Sequence, residues 1–191
     1  PAARQDVQRY RAMSGGILST SKTVIDDNAS LNVRWDDLPT SVQAQYLREE
    51  LRQPVRVILD RQNHLTDALK LFHTDGERVI VSPDGDCIPL LDNADQIDLS
   101  TTLKRISDEH HINHLWVEAG ATLASAMIKA NLVDELIVYL APKLMGSDGR
   151  GLIGALGLSA MADVIDLNIT DVRMVGVDIR ITATIKRKEL R

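Results

Sequence analysis

A carboxylate and a glycine follow an apolar stretch and precede a helical pattern. Residues 116–127 read W-V-E-A-G-A-T-L-A-S-A-M, in which Glu118 and Gly120 come just before the helical pattern that begins at Ala121. Free N–H groups at a helix start can bind phosphate, and a glycine lets the backbone approach an anion closely. The motif lacks the three glycines of the G-x-G-x-x-G fingerprint. Two interpretations stay open: a ligand site, or a packed turn in which Gly120 is needed for its conformation and Glu118 interacts with the helix dipole.

A second polar cluster occupies residues 23–35, T-V-I-D-D-N-A-S-L-N-V-R-W. A hydroxyl such as that of Thr23 and the carboxylate of Asp26 or Asp27 could bind the amide or ribose of a cofactor, and Arg34 could bind a phosphate. Arg11, in the preceding helical pattern, could reach the same region. An acidic pair followed by an arginine is also typical of a solvated loop, so both interpretations are kept.

Other polar clusters have plainer explanations. Residues 146–151, G-S-D-G-R-G, lack the G-K-[ST] ending of a P-loop and are typical of a flexible surface turn. His110, His111 and His114 have no accompanying cysteine or H-E-x-x-H motif, so we predict no metal site there. They stand where a helix should end, and a histidine there complements the helix dipole. The closing basic run, residues 186–191, is typical of a solvated tail.

The composition of the chain excludes several classes of protein. The chain has 191 residues, 44% apolar and 26% charged, which suits one globular domain. A net charge of −5 and 3% aromatic residues argue against a general nucleic-acid surface. A single cysteine, Cys87, allows neither an intrachain disulfide nor a cysteine-based zinc site. No apolar run is long enough for a membrane span and no signal-peptide pattern opens the chain, so we expect a cytoplasmic protein without a membrane partner.

The periodicity of apolar residues predicts the elements that must position these side chains. The predicted helices cover residues 6–13, 41–51, 66–71, 100–111 and 121–130, and the predicted strands cover 17–21, 55–60, 77–82, 112–117, 135–141, 164–175 and 177–186. Residues 23–35 are predicted to be a loop. Strands alternate with helices first and then turn antiparallel, with a hairpin through Gly176. The pattern therefore predicts an α/β fold with a mixed sheet flanked by helices. In such sheets ligands bind at the carboxyl ends of the strands, where Glu118 should lie.

Four segments in this order carry a family resemblance. They are T-V-I-D-D-N-A-S-L-N-V-R-W, P-V-R-V-I-L-D, W-V-E-A-G-A-T-L-A-S-A and L-V-D-E-L-I-V-Y-L-A-P-K-L-M-G-S-D-G-R-G-L. Together they resemble the reductase domain of the bacterial bifunctional riboflavin biosynthesis deaminase–reductase, from Asp6 to the closing strands. The resemblance implies a dihydrofolate-reductase-like fold ending in an antiparallel hairpin. It also implies an NADPH-dependent oxidoreductase that reduces the ribosyl group of 5-amino-6-(5-phosphoribosylamino)uracil to the ribitylamino product.

The resemblance also implies roles for particular residues, although it names no catalytic group. Arg61 would contact the cofactor after the V-I-L-D strand, and its guanidinium could pair with the 2′-phosphate and so favour NADPH over NADH. A homo-oligomer is typical of the family. The implied cofactor residues are Thr23, Asp27, Arg61, Gly120, Ala121, Thr122, Leu123, Ala124, Ser125 and Ala126. The implied substrate residues are Arg11, Leu31, Arg34 and Glu118.

The sequence departs from the family pattern in two respects. Asp27 is followed by Asn28 where the family usually has a proline, so the loop is expected to lose the rigidity that a proline gives. Neither the zinc deaminase half nor the first reductase strand, with its K-x-x-A-S-x-D-G segment, occurs in the sequence. We therefore expect residues 1–191 to be one reductase domain from the C-terminal part of a longer enzyme. The alternatives are a non-catalytic fragment for dimerisation or nucleotide binding, and a related reductase with a pterin-like or another uracil substrate.

Overall fold

The computed structural model describes residues 2–146 and 149–186, which form two compact units. One unit comprises Gln5–Gly120, and the other combines the described residues of 1–4 and 121–191. The first unit contains a four-stranded parallel sheet and the second a three-stranded antiparallel sheet. The α/β class is confirmed, with the parallel and the antiparallel strands in two hydrogen-bonded sheets. Within the described ranges no helix is both long and apolar enough to cross a membrane.

The parallel sheet sets the place of a ligand site. Its order is β3-β2-β1-β4, so the chain first moves outward from β1 and then returns to the other side of β1. The order therefore reverses between β1 and β4, and in open α/β sheets ligands bind at the carboxyl ends of the strands beside such a reversal. Ile17, Leu18, Val57 and Ile58 have no exposed surface, as expected for strands covered on both faces. The strands are β1 (Gly16–Thr20), β2 (Val55–Leu59), β3 (Arg78–Val81) and β4 (Leu115–Val117).

Helices and short turns connect these strands. Helix α4 begins at an N-cap, where the Asp98 carboxylate accepts a hydrogen bond from the N–H of Thr101 at 3.1 Å. It ends at His111, whose φ of 54° is left-handed, and the His110 ring nitrogen lies 2.5 Å from Glu77 Oε1. The helices are α1 (Ala2–Met13), α2 (Ser21–Asp27), α3 (Thr40–Gln43) and α4 (Leu99–His110), with 3₁₀ turns at Trp35–Asp37, Arg48–Glu50 and Lys70–His73.

Three segments differ from the predicted elements. Residues 21–27 form helix α2 rather than a loop, because Thr20 Oγ1 accepts from the N–H of Thr23 and Val24 is fully buried in the core. The predicted helix over 41–51 is only the four-residue α3 and a later 3₁₀ turn. Most of that segment is exposed, so little burial stabilises a longer helix. The predicted helix over 66–71 is a 3₁₀ turn shifted towards the carboxyl end.

Asn28 ends helix α2 in a conformation that proline cannot adopt. Its φ is +45°, its N–H donates to the carbonyl of Ile25, and the next N–H, of Ala29, donates to the carbonyl of Val24 at 3.1 Å. This is a Schellman motif, which satisfies the last carbonyls of a helix. Asn28 Oδ1 also accepts from the N–H of Lys70 at 2.9 Å. The expectation that asparagine loosens this loop is therefore wrong, because the side chain and the left-handed backbone both fix it.

We expect Asn28→Pro to lower the free energy of unfolding by about 3 kcal/mol, because proline holds φ near −65° and has no N–H. Asn28→Gly keeps the left-handed conformation and loses the hydrogen bond to Lys70, so we expect it to cost about 1 kcal/mol. Urea denaturation of both variants measures these differences. A proline variant as stable as the unmodified chain would contradict the assigned conformation.

The antiparallel sheet has one wholly apolar face. Pairing places Val138, Ile181 and Val172 side by side, and the neighbouring row is Leu140, Ile179 and Met174. The β6–β7 hairpin turns through Gly176, whose φ is +65°, which confirms the predicted hairpin. The elements of this unit are α5 (Ala121–Lys129), β5 (Glu135–Leu140), β6 (Leu167–Val175) and β7 (Asp178–Ile185), with a 3₁₀ turn at Met161–Asp163.

The other face of this sheet carries most of the polar side chains of the three strands. Arg180 and Thr182 lie there and are buried, although neither residue type is usually found in a core. Hydrogen bonds from Arg173, with a further one from Arg180, lower the pKa of Asp171 to about 2 and outweigh desolvation. Two polar residues are therefore buried in this unit, whereas Leu140, Val172 and Met174 on the apolar face are exposed.

Candidate functional site

The backbone of Glu118 is fixed at the end of β4. Its N–H donates to the carbonyl of Leu18 at 2.9 Å, which continues the pairing with β1 by one residue. Its carbonyl accepts from the hydroxyl of Ser19, also at 2.9 Å. Ser19 has no exposed surface, so this contact is shielded from water. The carboxylate is thereby placed beside the reversal of strand order between β1 and β4.

Arg11 holds the Glu118 carboxylate through two nitrogens of its guanidinium, Nε and Nη2. Arg11 Nε lies 2.6 Å from Oε1 and Nη2 lies 2.7 Å from Oε2. Its third nitrogen, Nη1, donates to the carbonyl of Asn32 at 2.9 Å. The two side chains are only 12% and 22% exposed, so this bidentate pair is stronger than an ordinary surface ion pair. Two predicted substrate residues, distant in sequence, therefore contact each other.

An aromatic pair borders this ion pair. The indole Nε1 of Trp116 donates to Glu118 Oε1 at 3.0 Å. The indole is stacked on the Tyr10 ring, with centroids 4.9 Å apart and planes 6° apart. Tyr10 precedes Arg11 on α1, and Trp116 precedes Glu118 by two residues on the same side of β4. Sequence reasoning did not single out either ring, because an apolar strand and an amphipathic helix explain both without a site.

The segment that carries Leu31 and Arg34 is held by two glutamines. Gln53 makes a reciprocal pair of hydrogen bonds with the N–H and the carbonyl of Val33, both at 2.8 Å. Buried Gln8 of α1 accepts from the N–H of Arg34 at 2.9 Å. The Arg34 side chain is 51% exposed and pairs with Asp37. The Leu31 side chain packs in the core, so only its backbone, at a φ of +53°, is left for a ligand.

Three predicted cofactor residues of this unit follow β1 and β2 in the chain: Thr23 and Asp27 lie in α2, and Arg61 comes after β2. The hydroxyl of Thr23 lies 3.3 Å from that of Thr20 at the start of α2. Exposed Asp27 is the last residue of α2, where the helix dipole disfavours a carboxylate, and no described side chain or backbone group binds it. Arg61 Nη1 lies 3.2 Å from both the carbonyl and the Oδ2 of Asp95. Asp95 is a neighbour that the sequence did not indicate.

Gly120 is required neither by its conformation nor by packing. Its φ is outside the left-handed region, and a Cβ built on it meets no described atom within 4 Å. The interpretation that Gly120 serves the conformation of the turn is therefore wrong. Open space at this position is compatible with the close approach of a ligand.

Helix α5 begins directly after Gly120. The side chains of Leu123 and Ser125 are buried, and the Ser125 hydroxyl donates to the carbonyls of Ala121 and Thr122 at 2.9 and 3.0 Å. The Ser125 hydroxyl is therefore used within its own helix. What the start of this helix can offer a ligand is its backbone N–H groups. Two other predictions fall partly outside the described residues: the glycine-rich turn at residues 147 and 148, and the basic tail at 187–191.

A family model, related sequences and a solved structure all show similarity of this chain to one family of proteins. The family model described as the RibD C-terminal domain matches residues 1–181. Riboflavin biosynthesis protein RibD of Haemophilus influenzae is 45% identical over 97% of this chain and 52% of its own length. A Buchnera aphidicola protein named 5-amino-6-(5-phosphoribosylamino)uracil reductase is 31% identical over 97% of this chain and 93% of its own length. The solved structure of Acinetobacter baumannii RibD matches with a TM-score of 0.82 and 35% identity, covering 97% of this chain and 51% of that one. This chain thus spans about half the length of the RibD relatives.

Proposed function

Because the chain belongs to the RibD C-terminal domain family, we propose that it reduces the ribosyl group of 5-amino-6-(5-phosphoribosylamino)uracil to the ribitylamino product, with NADPH as reductant. The observation that carries the proposal is the fixed Arg11–Glu118 pair beside exposed Arg34, at the strand ends where such sheets bind ligands. A single reductase domain over residues 1–191, from a longer cytoplasmic enzyme, stays a prediction.

The substrate side needs an anion ligand and a group that accepts hydrogen bonds. Arg34 suits the 5′-phosphate, because among the described residues its guanidinium is held by an exposed carboxylate, that of Asp37, which a phosphate can replace. Glu118 suits the hydroxyls of the opened sugar or the N–H groups of the aminouracil. Reduction adds a hydride to the imine-like C1′ of the opened sugar and a proton to its nitrogen. Positioning by these residues supplies most of the catalysis, and no side chain is assigned as the source of that proton.

The cofactor side is assigned to Thr23, Asp27, Arg61 and the backbone of residues 120–126. NADPH, when bound, supplies the hydride. Three features fit such a cofactor: the open space at Gly120, the Asp27 carboxylate, which no described group binds at its unfavourable helix end, and the partly exposed guanidinium of Arg61. We choose NADPH over NADH because a guanidinium can pair with the additional 2′-phosphate.

Turnover with the ribosylaminouracil phosphate, followed as NADPH oxidation, tests the proposal. In Arg34→Ala we expect the substrate KM to rise about 30-fold, since a charge-assisted contact is worth about 2 kcal/mol, and the NADPH Kd to change less than about twofold. Arg48→Ala is the matched control, because Arg48 is exposed and lies 3.6 Å from Asp36 in a surface pair. If Arg34→Ala weakened the binding of substrate and of NADPH equally, Arg34 would not be the ligand of the substrate phosphate.

Other outcomes distinguish the alternative functions. A chain that oxidises no NADPH with either substrate, whether or not it binds NADPH, would be the non-catalytic fragment. A chain that binds NADPH and reduces a pterin-like compound, but not the ribosylaminouracil phosphate, would be the related reductase. Fluorescence titration with NADPH and turnover with each substrate separate these cases.

Gly120→Ala should separate ligand binding from stability. We expect its thermal midpoint to stay unchanged, because the added methyl meets no described atom within 4 Å. We expect its NADPH affinity to fall about tenfold, equal to about 1.4 kcal/mol, because the methyl would stand where the backbone approaches the phosphates. Gly154→Ala is the control for crowding. Its Cβ would lie 3.0 Å from Ser125 Oγ and 3.2 Å from the Ala121 carbonyl, so we expect its thermal midpoint to fall. Unchanged NADPH affinity in Gly120→Ala would remove this residue from the cofactor site.

We also propose that copies of this chain associate through the apolar face of the antiparallel sheet. Leu140, Ile169, Val172 and Met174 are 55–62% exposed on that face. A contiguous exposed apolar patch usually marks an interaction site. Light scattering should give the mass of an oligomer for the unmodified chain and of a monomer for Val172→Asp. Lys104→Glu, a charge change on exposed α4, should leave the mass unchanged. A monomeric unmodified chain would exclude the interface.

A further inference from the structure

We infer that Trp116 is a positioning residue, whose indole N–H orients the Glu118 carboxylate for the substrate. The inference rests on the proposed function, and it adds a residue to which the family resemblance gives no role. It starts from the unequal occupation of the two carboxylate oxygens. Oε1 accepts from Arg11 Nε at 2.6 Å and from Trp116 Nε1 at 3.0 Å. Among the described groups, Oε2 accepts only from Arg11 Nη2, at 2.7 Å.

This occupation determines what a ligand can offer. A carboxylate has about four lone-pair sites, two on each oxygen, so Oε1 is filled and Oε2 keeps room for one more donor. Arg11 already balances the charge of Glu118, so a neutral hydroxyl or N–H group fits better than a second cation. A sugar hydroxyl or a uracil N–H belongs to that class.

The indole can set the orientation because its own plane is fixed. Its ring lies 4.9 Å from the Tyr10 ring at an interplanar angle of 6°, which restricts rotation of the indole. Trp116 and Glu118 lie on the same side of β4, and the Glu118 backbone is pinned by Leu18 and Ser19. The guanidinium fork comes from α1, whereas the indole donor comes from the strand itself. Without the indole, the carboxylate and the fork could shift together away from the sheet.

A purely structural role for Trp116 is the competing explanation, because a buried indole N–H usually finds some acceptor. Two substitutions separate the explanations. Trp116→Phe keeps a ring that can stack on Tyr10 but removes the donor, and Trp116→Leu removes both. We expect Trp116→Phe to raise the substrate KM about tenfold, as for the loss of one hydrogen bond to a charged group, with kcat and the NADPH Kd changed less than about twofold. A normal KM in Trp116→Phe together with a raised KM in Trp116→Leu would overturn the inference.

A double-mutant cycle tests whether Trp116 acts through Glu118. In a Glu118→Gln background, we expect Trp116→Phe to raise the KM less than about twofold further, because the group it positions is already altered. An additive tenfold rise in that background would mean that Trp116 acts on the substrate by another route, and would contradict the inference.

Nuclear magnetic resonance provides a measurement that does not depend on turnover. The chain has two tryptophans, Trp35 and Trp116, so a ¹⁵N-labelled sample should show two indole N–H signals, which Trp116→Phe assigns. Glu118→Gln and saturating substrate should each move the Trp116 signal. A Trp116 signal that does not respond to Glu118→Gln would overturn the inference. An unmodified chain that binds neither NADPH nor the ribosylaminouracil phosphate would instead overturn the proposed function, whatever the response of this signal to Glu118→Gln.

Discussion

Arg56→Met is expected to prevent stable folding of the chain. Arg56 has no exposed surface, although it lies in the middle of strand β2. Its guanidinium donates to five backbone carbonyls: Nη1 to those of Ser30 and Leu71 at 3.1 and 3.3 Å, and Nη2 to those of Thr74, Asp75 and Gly76 at 3.0, 3.2 and 2.7 Å. Burial, and then the charge of Arg78, lower the pKa of Arg56, but a guanidinium stays protonated in proteins.

The expected loss of folding stability follows from the five carbonyls that lose their hydrogen-bond donor. Methionine fills similar space but donates nothing, and each hydrogen bond to a charged group contributes about 1.5–3 kcal/mol. Leaving several of the five unpaired would cost at least about 5 kcal/mol, which is comparable to the whole stability of an ordinary domain. Arg56→Lys keeps a charge and three donors, so we expect an intermediate loss.

Guanidinium denaturation followed by circular dichroism measures these losses. Arg52→Met is the matched control, because Arg52 is exposed just before β2 and should tolerate the change. If Arg56→Met unfolded at the same denaturant concentration as Arg52→Met, the carbonyl contacts would contribute no net stability. Arg56 also holds the carbonyl of Ser30, next to Leu31, so an Arg56→Lys variant that folds should bind the proposed substrate more weakly.

Glu118→Ala is expected to lower kcat/KM for the ribosylaminouracil phosphate about 100-fold, since the one hydrogen bond that Oε2 can still accept from the substrate involves a charged group and is worth up to about 3 kcal/mol. The change removes the proposed substrate ligand and leaves the fork of Arg11 without its carboxylate in a mostly buried position. Glu118→Gln keeps the shape and one acceptor oxygen, so its loss should be smaller. The NADPH Kd should change less than about threefold in both variants, because the substrate rather than the cofactor loses its partner.

Steady-state kinetics and a thermal midpoint for each variant separate chemistry from folding. Glu109→Ala is the control, because Glu109 is an exposed carboxylate on α4 that lies 3.5 Å from Arg105. A value of kcat/KM for Glu118→Ala within tenfold of the unmodified chain would remove Glu118 from the proposed site. Loss of NADPH binding in Glu118→Gln at an unchanged thermal midpoint would instead assign Glu118 to the cofactor.

The sequence alone determined those elements whose pattern is local. The run V-R-V-I-L predicted β2, the alternating residues predicted β5 to β7, and Gly176 marked the hairpin turn. These predictions succeeded because side-chain alternation and turn conformation depend on near neighbours. Glu118 and Gly120 could be singled out for the same reason, since a strand end followed by a helix start is visible in a dozen residues.

The tertiary structure decided every feature that depends on distant partners. Arg11 and Glu118 are 107 residues apart, and only the reversal of strand order between β1 and β4 explains their pairing. Helix α2 was missed because it depends on its Thr20 cap, on the left-handed Asn28 and on burial of Val24. Arg56 and Trp116 look like ordinary strand residues in the sequence. The carbonyls that Arg56 binds come from other segments, and the Glu118 carboxylate beside Trp116 is held by Arg11 from a distant helix. The periodicity of a helix or strand depends on neighbouring residues, whereas the residues of a site are brought together by the topology of the fold.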